Sequence, residues 1–162
     1  MKPVTDTLLA ELSAQAALAP RQRKNLNLHA QLEDPVQRLL NALEPGTYIR
    51  PHCHGVPPKW ELFVILSGRA AVLTFDAHGE VIERVELDAT GANRIVEIPE
   101  GAWHTLVALA PQTVLIEIKR GPYQATTPAE FADWAPPEGD AAVAQFTQWL
   151  LHAQPGDRPP AY

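Results

Sequence analysis

Past residue 60 the chain repeats one arrangement, a short apolar run closed by Gly, Pro or Asn. "WELFVILSG", "AAVLTFD", "RIVEIP", "AWHTLVAL" and "TVLIEIKR" all follow it. An amphipathic helix needs apolar positions three or four residues apart over a longer stretch, so these runs read as strands. Several short strands with turn signals at this spacing close into a sandwich or barrel. The 16 prolines among 162 residues agree, since proline interrupts helices and central strands alike. "FDAHGEVIERVEL" reads as a hairpin turning at "AHG", and "KNLNLHAQ" as a half-buried strand with Asn25, Asn27 and His29 on its polar face. "DPVQRLLNALEPG" fits a short helix or, in preference, a strand ending at the Pro45-Gly46 turn.

The two ends differ from this pattern. "TDTLLAELSAQAAL" starts on Thr and Asp, carries Leu8, Leu9, Leu12 and Leu18, and stops before Pro20, which predicts an amphipathic helix. "TPAEFADW" has Thr127, Pro128 and Glu130 in a capping-box arrangement, and "GDAAVAQFTQWLLHAQ" a helix with Phe146, Trp149 and Leu150 on one side. The expected organisation is an N-terminal helical segment over 1–22, a β-barrel over 23–125 and a C-terminal helical extension with its tail over 126–162.

Bulk properties narrow the function classes. A net charge of −6 argues against nucleic-acid and membrane-surface binding, both of which want basic patches. No apolar run approaches a membrane span, and the interleaved acids of the first residues do not read as a signal peptide. The single Cys excludes an intrachain disulfide framework and fits a reducing compartment, so the expectation is a cytoplasmic protein.

One constellation stands out. In "YIRPHCHGVPPKWELF", His52 and His54 share a face if the stretch is extended, with Tyr48 and Arg50 beside them and Cys53 opposite. Glu61 shares its strand face with Phe63 and Ile65, and a carboxylate among core residues is costly without a compensating partner. His104 follows the turn Pro99-Glu100-Gly101 at the start of a later strand. Three histidines and one glutamate form a mixed N/O set suited to a single divalent first-row metal. Hydrogen-bonded polar residues in an empty barrel are the bland alternative.

These residues carry a family resemblance. "PGTYIRPHCHGVPPKWELFVILSG" resembles the first cupin motif, running from Gly46 through His52-x-His54 and Glu61 to Gly68, and "PEGAWH" resembles the centre of the second. The likeness extends to WbuC-type cupin fold metalloproteins of the RmlC-like superfamily through "RKNLNLHAQLEDPVQRLLNALEPGTYIRPHCH", "VEIPEGAWHTLV", "EIKRGPY" and "WAPPEG", roughly Arg23 to Gly139. It implies a single cupin β-barrel, a jelly-roll double-stranded β-helix, with His52, His54, Glu61 and His104 on one metal such as Fe, Mn, Ni or Zn. It also implies a homodimer and, through the association of WbuC-type proteins with polysaccharide clusters, a sugar-derived ligand. Two departures are present. Six residues separate His54 from Glu61, a longer spacing than in many cupins, and Ala108 stands where the second motif closes with Asn.

An arginine beside a metal makes sense only with an anion between them, so Arg50, Tyr48 and His29 are the expected ligand-binding residues, for a small carboxylate or phosphate. Arg38, Lys59 and Tyr123 fall within the matching segments, and the inward face of the strand bearing Glu117 and Lys119 is not fixed by its pattern. Three readings follow: a metalloenzyme with open reaction type, a non-catalytic metal-dependent binding or sensing module, and a metal-free sugar epimerase. The last needs a His–Asp pair, which the ligand set argues against.

Overall fold

The computed structural model describes residues 1–161. Eight strands follow α1 (Asp6–Leu18): β1 (Arg23–Asn27), β2 (Val36–Leu43), β3 (Glu61–Ser67), β4 (Arg69–Phe75), β5 (Val81–Asp88), β6 (Ile95–Ile98), β7 (Trp103–Ala108) and β8 (Thr113–Arg120). A 3-10 turn at Pro128–Glu130 and α2 (Val143–His152) complete the chain. The strands form an antiparallel five-stranded sheet, β1-β2-β8-β3-β6, and an antiparallel three-stranded sheet, β5-β4-β7. The strand punctuation predicts a sandwich or barrel, and the architecture is the jelly-roll β-barrel that the cupin resemblance implies.

Three apolar clusters explain why several strands lack a clean apolar–polar alternation. Between the sheets lie Leu43, Phe63, Ile65, Val72, Leu87, Leu106 and Leu115. The other face of β4 and β7 offers Ala71, Leu73, Phe75 and Val107 to Phe146 and Leu150 of α2. The other face of β2 and β8 offers Leu40, Ala42 and Val114 to Leu12 and Ala16 of α1. A strand covered on both sides must be apolar on both, which is why "RAAVLTF" and "RLLNAL" read as near-continuous apolar runs.

The helices are fixed at their ends as well as along their faces. Thr5 Oγ1 accepts the Leu8 N–H at the start of α1. Leu18, expected on the apolar side, is 88% exposed, because the buried face of α1 runs through Leu12 and Ala16. The guanidinium of Arg84, on β5, donates to the carbonyls of Leu150, Leu151 and Ala153. These are the acceptors that the last turn of a helix leaves without intrahelical partners, so Arg84 anchors α2 to the sheet. The capping box expected at Thr127 forms, with Glu130 accepting from the Thr127 N–H and Oγ1–H, but it starts a single 3-10 turn rather than an α-helix.

Gly68 closes the tight connection between β3 and β4 with φ +69°, and a Cβ there would stand 2.7 Å from Thr113 Cα. Both the left-handed backbone and the close approach demand glycine. Gly68→Ala is expected to destabilise the fold by at least ~2 kcal/mol, read as a lowered urea midpoint; an unchanged midpoint would show that the turn adapts.

Candidate metal centre

The site is assembled from three separated stretches. His52 lies in the irregular segment between β2 and β3 and is pinned to His104 on β7 by a reciprocal backbone pair, His52 N–H to His104 O at 3.0 Å and His104 N–H to His52 O at 2.9 Å. Residues directly opposite in such a pair project to the same side. His54, two residues on, joins them. The nearest ring nitrogens of His52, His54 and His104 all lie within 4.8 Å of one another. Their ring centroids are 4.5 Å apart for His52–His104, 5.2 Å for His52–His54 and 5.8 Å for His54–His104.

The ring orientations are set by the backbone. His52 Nδ1 donates to the Arg50 carbonyl at 3.1 Å, and His104 Nδ1 donates to the Ala102 carbonyl at 2.9 Å. A carbonyl only accepts, so Nδ1 carries the proton in each ring and Nε2 is left to face the cluster. Metal-bound histidines in general are held by a hydrogen bond of this kind from the other ring nitrogen.

Glu61 opens β3 and is 2% exposed. Its Oε1 lies 2.7 Å from His54 Nε2 and 2.9 Å from Lys119 Nζ, and its Oε2 lies 3.2 Å from His104 Nε2. Lys119 also pairs with Glu117 at 2.5 Å, and Asn41 Nδ2 donates to Glu117 Oε2 at 2.6 Å. Strand register explains the grouping. Lys119 of β8 stands opposite Glu61 of β3, and Glu117 stands opposite Phe63, so all four side chains share the inner face.

The titration behaviour follows from this packing. Burial alone would raise the Glu61 carboxyl, but hydrogen bonds from His104 and His54 and the charge of Lys119 hold it well below the usual carboxylate range. Burial pushes the Glu117 carboxyl up, the charge of Glu61 adds to this, and Lys119 opposes it. His104 is raised: burial opposes its proton, and the hydrogen bond and charge of Glu61 outweigh that. His52 is lowered to about 3, first by burial and then by the charge of His104. One imidazole therefore stays neutral while its neighbour attracts a proton at the nitrogen that faces the cluster.

A cavity of about 280 Å³ opens beside the cluster. His52, Glu61 and His104 line it together with Phe63, Ile49 and Leu106, and Arg21, Arg23 and Lys24 reach it from β1 and the turn before it. His54 faces instead a cavity of about 260 Å³ shared with Lys59, Thr127 and Glu130. Arg21 and Arg23 both pair with Glu138 at 2.5 Å.

The structure therefore brings together His52, His54, His104 and Glu61 of the residues singled out by sequence. It does not bring Tyr48 or Arg50 to the cavity. The Arg50 guanidinium lies 5.4 Å from the Phe131 ring centroid and donates to the Ala132 carbonyl at 2.6 Å. Tyr48 is buried against Phe146, its hydroxyl donating to the Pro136 carbonyl at 2.8 Å. Their expected place beside the metal assumed an unbroken strand through Pro51, and residues 44–60 form only isolated bridges. His29 is buried in a neighbouring cavity. Arg38 pairs with Asp34 at 3.4 Å, and Lys59 donates to the Pro122 carbonyl at 3.0 Å. Cys53 is half-buried, its thiol pushed up by burial and then by the charge of Glu130.

Residues 4–87 match the model of the family described as "Domain of unknown function (DUF6016)", just over half of the chain, and the chain belongs to that family. No curated protein matches it. Among solved structures it is similar to a recombinant oxalate oxidase in complex with glycolate, with TM-score 0.52 and 15% identity over 67% of this chain and 56% of the oxidase. The TT1209 protein from Thermus thermophilus aligns with TM-score 0.52 and 18% identity over 74% of this chain and 97% of its own. The conserved SPY1581 protein of unknown function from Streptococcus pyogenes gives 0.51 and 16% over 76% and 91%. At these identities the likeness is one of fold, and the fold is the cupin jelly roll. Among the described residues, no helix is long and apolar enough to cross a membrane.

The neutrality of His52 has a measurable consequence for the metal-free protein. The unfolded chain protonates this residue near 6.5, whereas the fold resists protonation down to about 3. Its contribution to stability is thus intact above 6.5 and is lost as pH falls toward 3. His104 acts oppositely: its contribution is present below its unfolded value and is lost as pH rises through its raised folded value. His52→Asn should flatten the fall in denaturation midpoint between about pH 6.5 and 4. A slope equal to that of the wild type would contradict this assignment.

Proposed function

We propose that this member of the DUF6016 family is a WbuC-type metal-binding cupin, holding one divalent transition metal on His52, His54, Glu61 and His104. The single observation that carries this reading is the charge arrangement around Glu61. Two buried carboxylates, Glu61 and Glu117, share one fixed cation, Lys119. The remaining demand for positive charge converges on imidazole nitrogens that face one another. A divalent ion at that point satisfies the carboxylate, uses neutral imidazole lone pairs, and takes the place of the His104 proton. An ion bound there would supply Lewis acidity toward a coordinated oxygen.

The ligand that fits is a small carboxylate or phosphate. With the ion in place the 280 Å³ cavity is lined by more positive than negative groups, Arg21, Arg23, Lys24 and Lys119 against Glu61 and Glu117. The anion-orienting part expected of Arg50 passes to these side chains, of which Lys24 is exposed while Arg21 and Arg23 pair with Glu138. The glycolate carried by the oxalate oxidase structure is an acid of this size, which supports the reading by analogy.

Protein purified without an affinity tag should contain close to one transition metal per chain, and the His52→Ala/His54→Ala variant should contain none. Metal at about 100 times its Kd should stabilise the fold by about 2.7 kcal/mol, a rise in Tm of roughly 5–10 °C for a domain of this size. A double variant that keeps stoichiometric metal, or a wild type whose Tm ignores added metal, would overturn the proposal.

A further inference from the structure

A further cavity, of about 330 Å³, adjoins the 280 Å³ cavity and shares Asn25, Leu39 and Lys119 with it as wall. His29 lies in it, 6% exposed. Its Nδ1 stands 3.0 Å from the Arg38 backbone N–H and 2.8 Å from the Arg38 carbonyl. That carbonyl also accepts the Leu28 N–H at 2.8 Å, and with an N–H and a C=O both at Nδ1 the neutral ring can hold its proton on either nitrogen. The ring's Nε2 is buried and has no hydrogen-bond partner among the described residues. Buried ring nitrogens without a partner are rare in folded proteins, and one on a residue that lines a cavity calls for a partner that the protein itself does not supply.

The placement relative to the metal centre follows from strand register. Gln37 of β2 stands opposite Lys119 of β8, which stands opposite Glu61 of β3. Strands sit ~4.8 Å apart, so Gln37 occupies a place roughly 10 Å from Glu61 along one row of the inner face. His29 lies one chain further out, after β1. The wall here is rigid. Gln37 Nε2 donates to the carbonyls of Leu32 and Asp34, and the Tyr123 N–H donates to the Leu32 carbonyl. The Asn25 amide donates to Asn27 Oδ1 at 3.2 Å, leaving the Asn27 amide N–H groups and the Asn25 carbonyl oxygen to offer.

We propose that this cavity is a subsite for the tail of the ligand whose acid head lies at the metal, and that His29 Nε2 hydrogen-bonds a hydroxyl group of that tail. The inference rests on the metal-binding reading above. Side-chain amides and an imidazole together both give and accept hydrogen bonds, as hydroxyl groups do, and the row spans the length of a six-carbon chain. The ligand class is accordingly an open-chain polyhydroxy acid, larger than a two-carbon acid.

The test compares D-gluconate with acetate on the zinc-loaded full chain. Calorimetry should give gluconate at least tenfold tighter than acetate. His29→Leu should bring gluconate to the acetate level while acetate affinity and zinc content stay as in the wild type. In wild-type protein with nitrogen-15-labelled histidine, gluconate but not acetate should shift the His29 Nε2 resonance, a readout that needs no variant to fold. Equal affinities for the two acids, or a His29 signal that gluconate leaves in place, would overturn the subsite while acetate binding still upheld the metal-centred anion site. If neither acid binds, the anion site fails and the subsite falls with it.

Discussion

The carboxylate of Glu61 is the constraint around which this end of the barrel is organised. It stands at the start of a core strand, with Phe63 and Ile65 on the same face, and is almost entirely removed from water. An ionised carboxyl in that position is tolerated only when charge and hydrogen bonds compensate for lost hydration. His54, His104 and Lys119 provide both. Lys119 is itself divided between Glu61 and Glu117, so the cluster holds more negative than fixed positive charge. Glu61 raises the affinity of His104 for a proton in the metal-free protein, and a divalent ion at the same place would supply greater charge.

The fold permits that arrangement by separating two halves of the barrel interior. One half is closed by Phe63, Ile65, Val72, Leu87 and Leu115 and carries the packing. The other keeps a polar row, Glu61, Lys119 and Gln37, held in register across three strands. Covering each sheet from outside, α1 on one and α2 on the other, leaves inward positions open to polar groups. A barrel without those helices would need its outward residues polar and would bury less apolar surface.

The histidines and Glu61 were legible in sequence because local rules govern them. The i, i+2 spacing brings His52 and His54 to one place even though their segment forms only isolated bridges, a Pro-x-Gly turn sets His104 at a strand start, and an acid amid Phe63 and Ile65 demands a partner. Lys119 and Glu117 were not legible, because "TVLIEIKR" carries apolar residues on both faces: Val114 and Ile116 pack toward α1 and Leu115 packs between the sheets. Alternation alone could not say which face looked inward. Tyr48 and Arg50 show the opposite failure. Alternation placed them beside the histidines, but their partners Pro136 and Ala132 come from a segment 88 and 82 residues away, where the C-terminal extension packs along the irregular run before β3. The cations at the cavity, Arg21, Arg23 and Lys24, had no sequence signal beyond being charged residues near a strand start.

The central claim is that a metal replaces a proton within a cluster made by Glu61 and three imidazoles. Calorimetric titration of zinc into metal-free protein, repeated near neutral pH in buffers of different ionisation enthalpy, tests it most directly. One ion should bind per chain with net release of protons to the buffer, and replacing His104 by Asn should abolish most of that release. Binding whose apparent enthalpy is the same in every buffer, or proton release that persists without His104, would contradict the account.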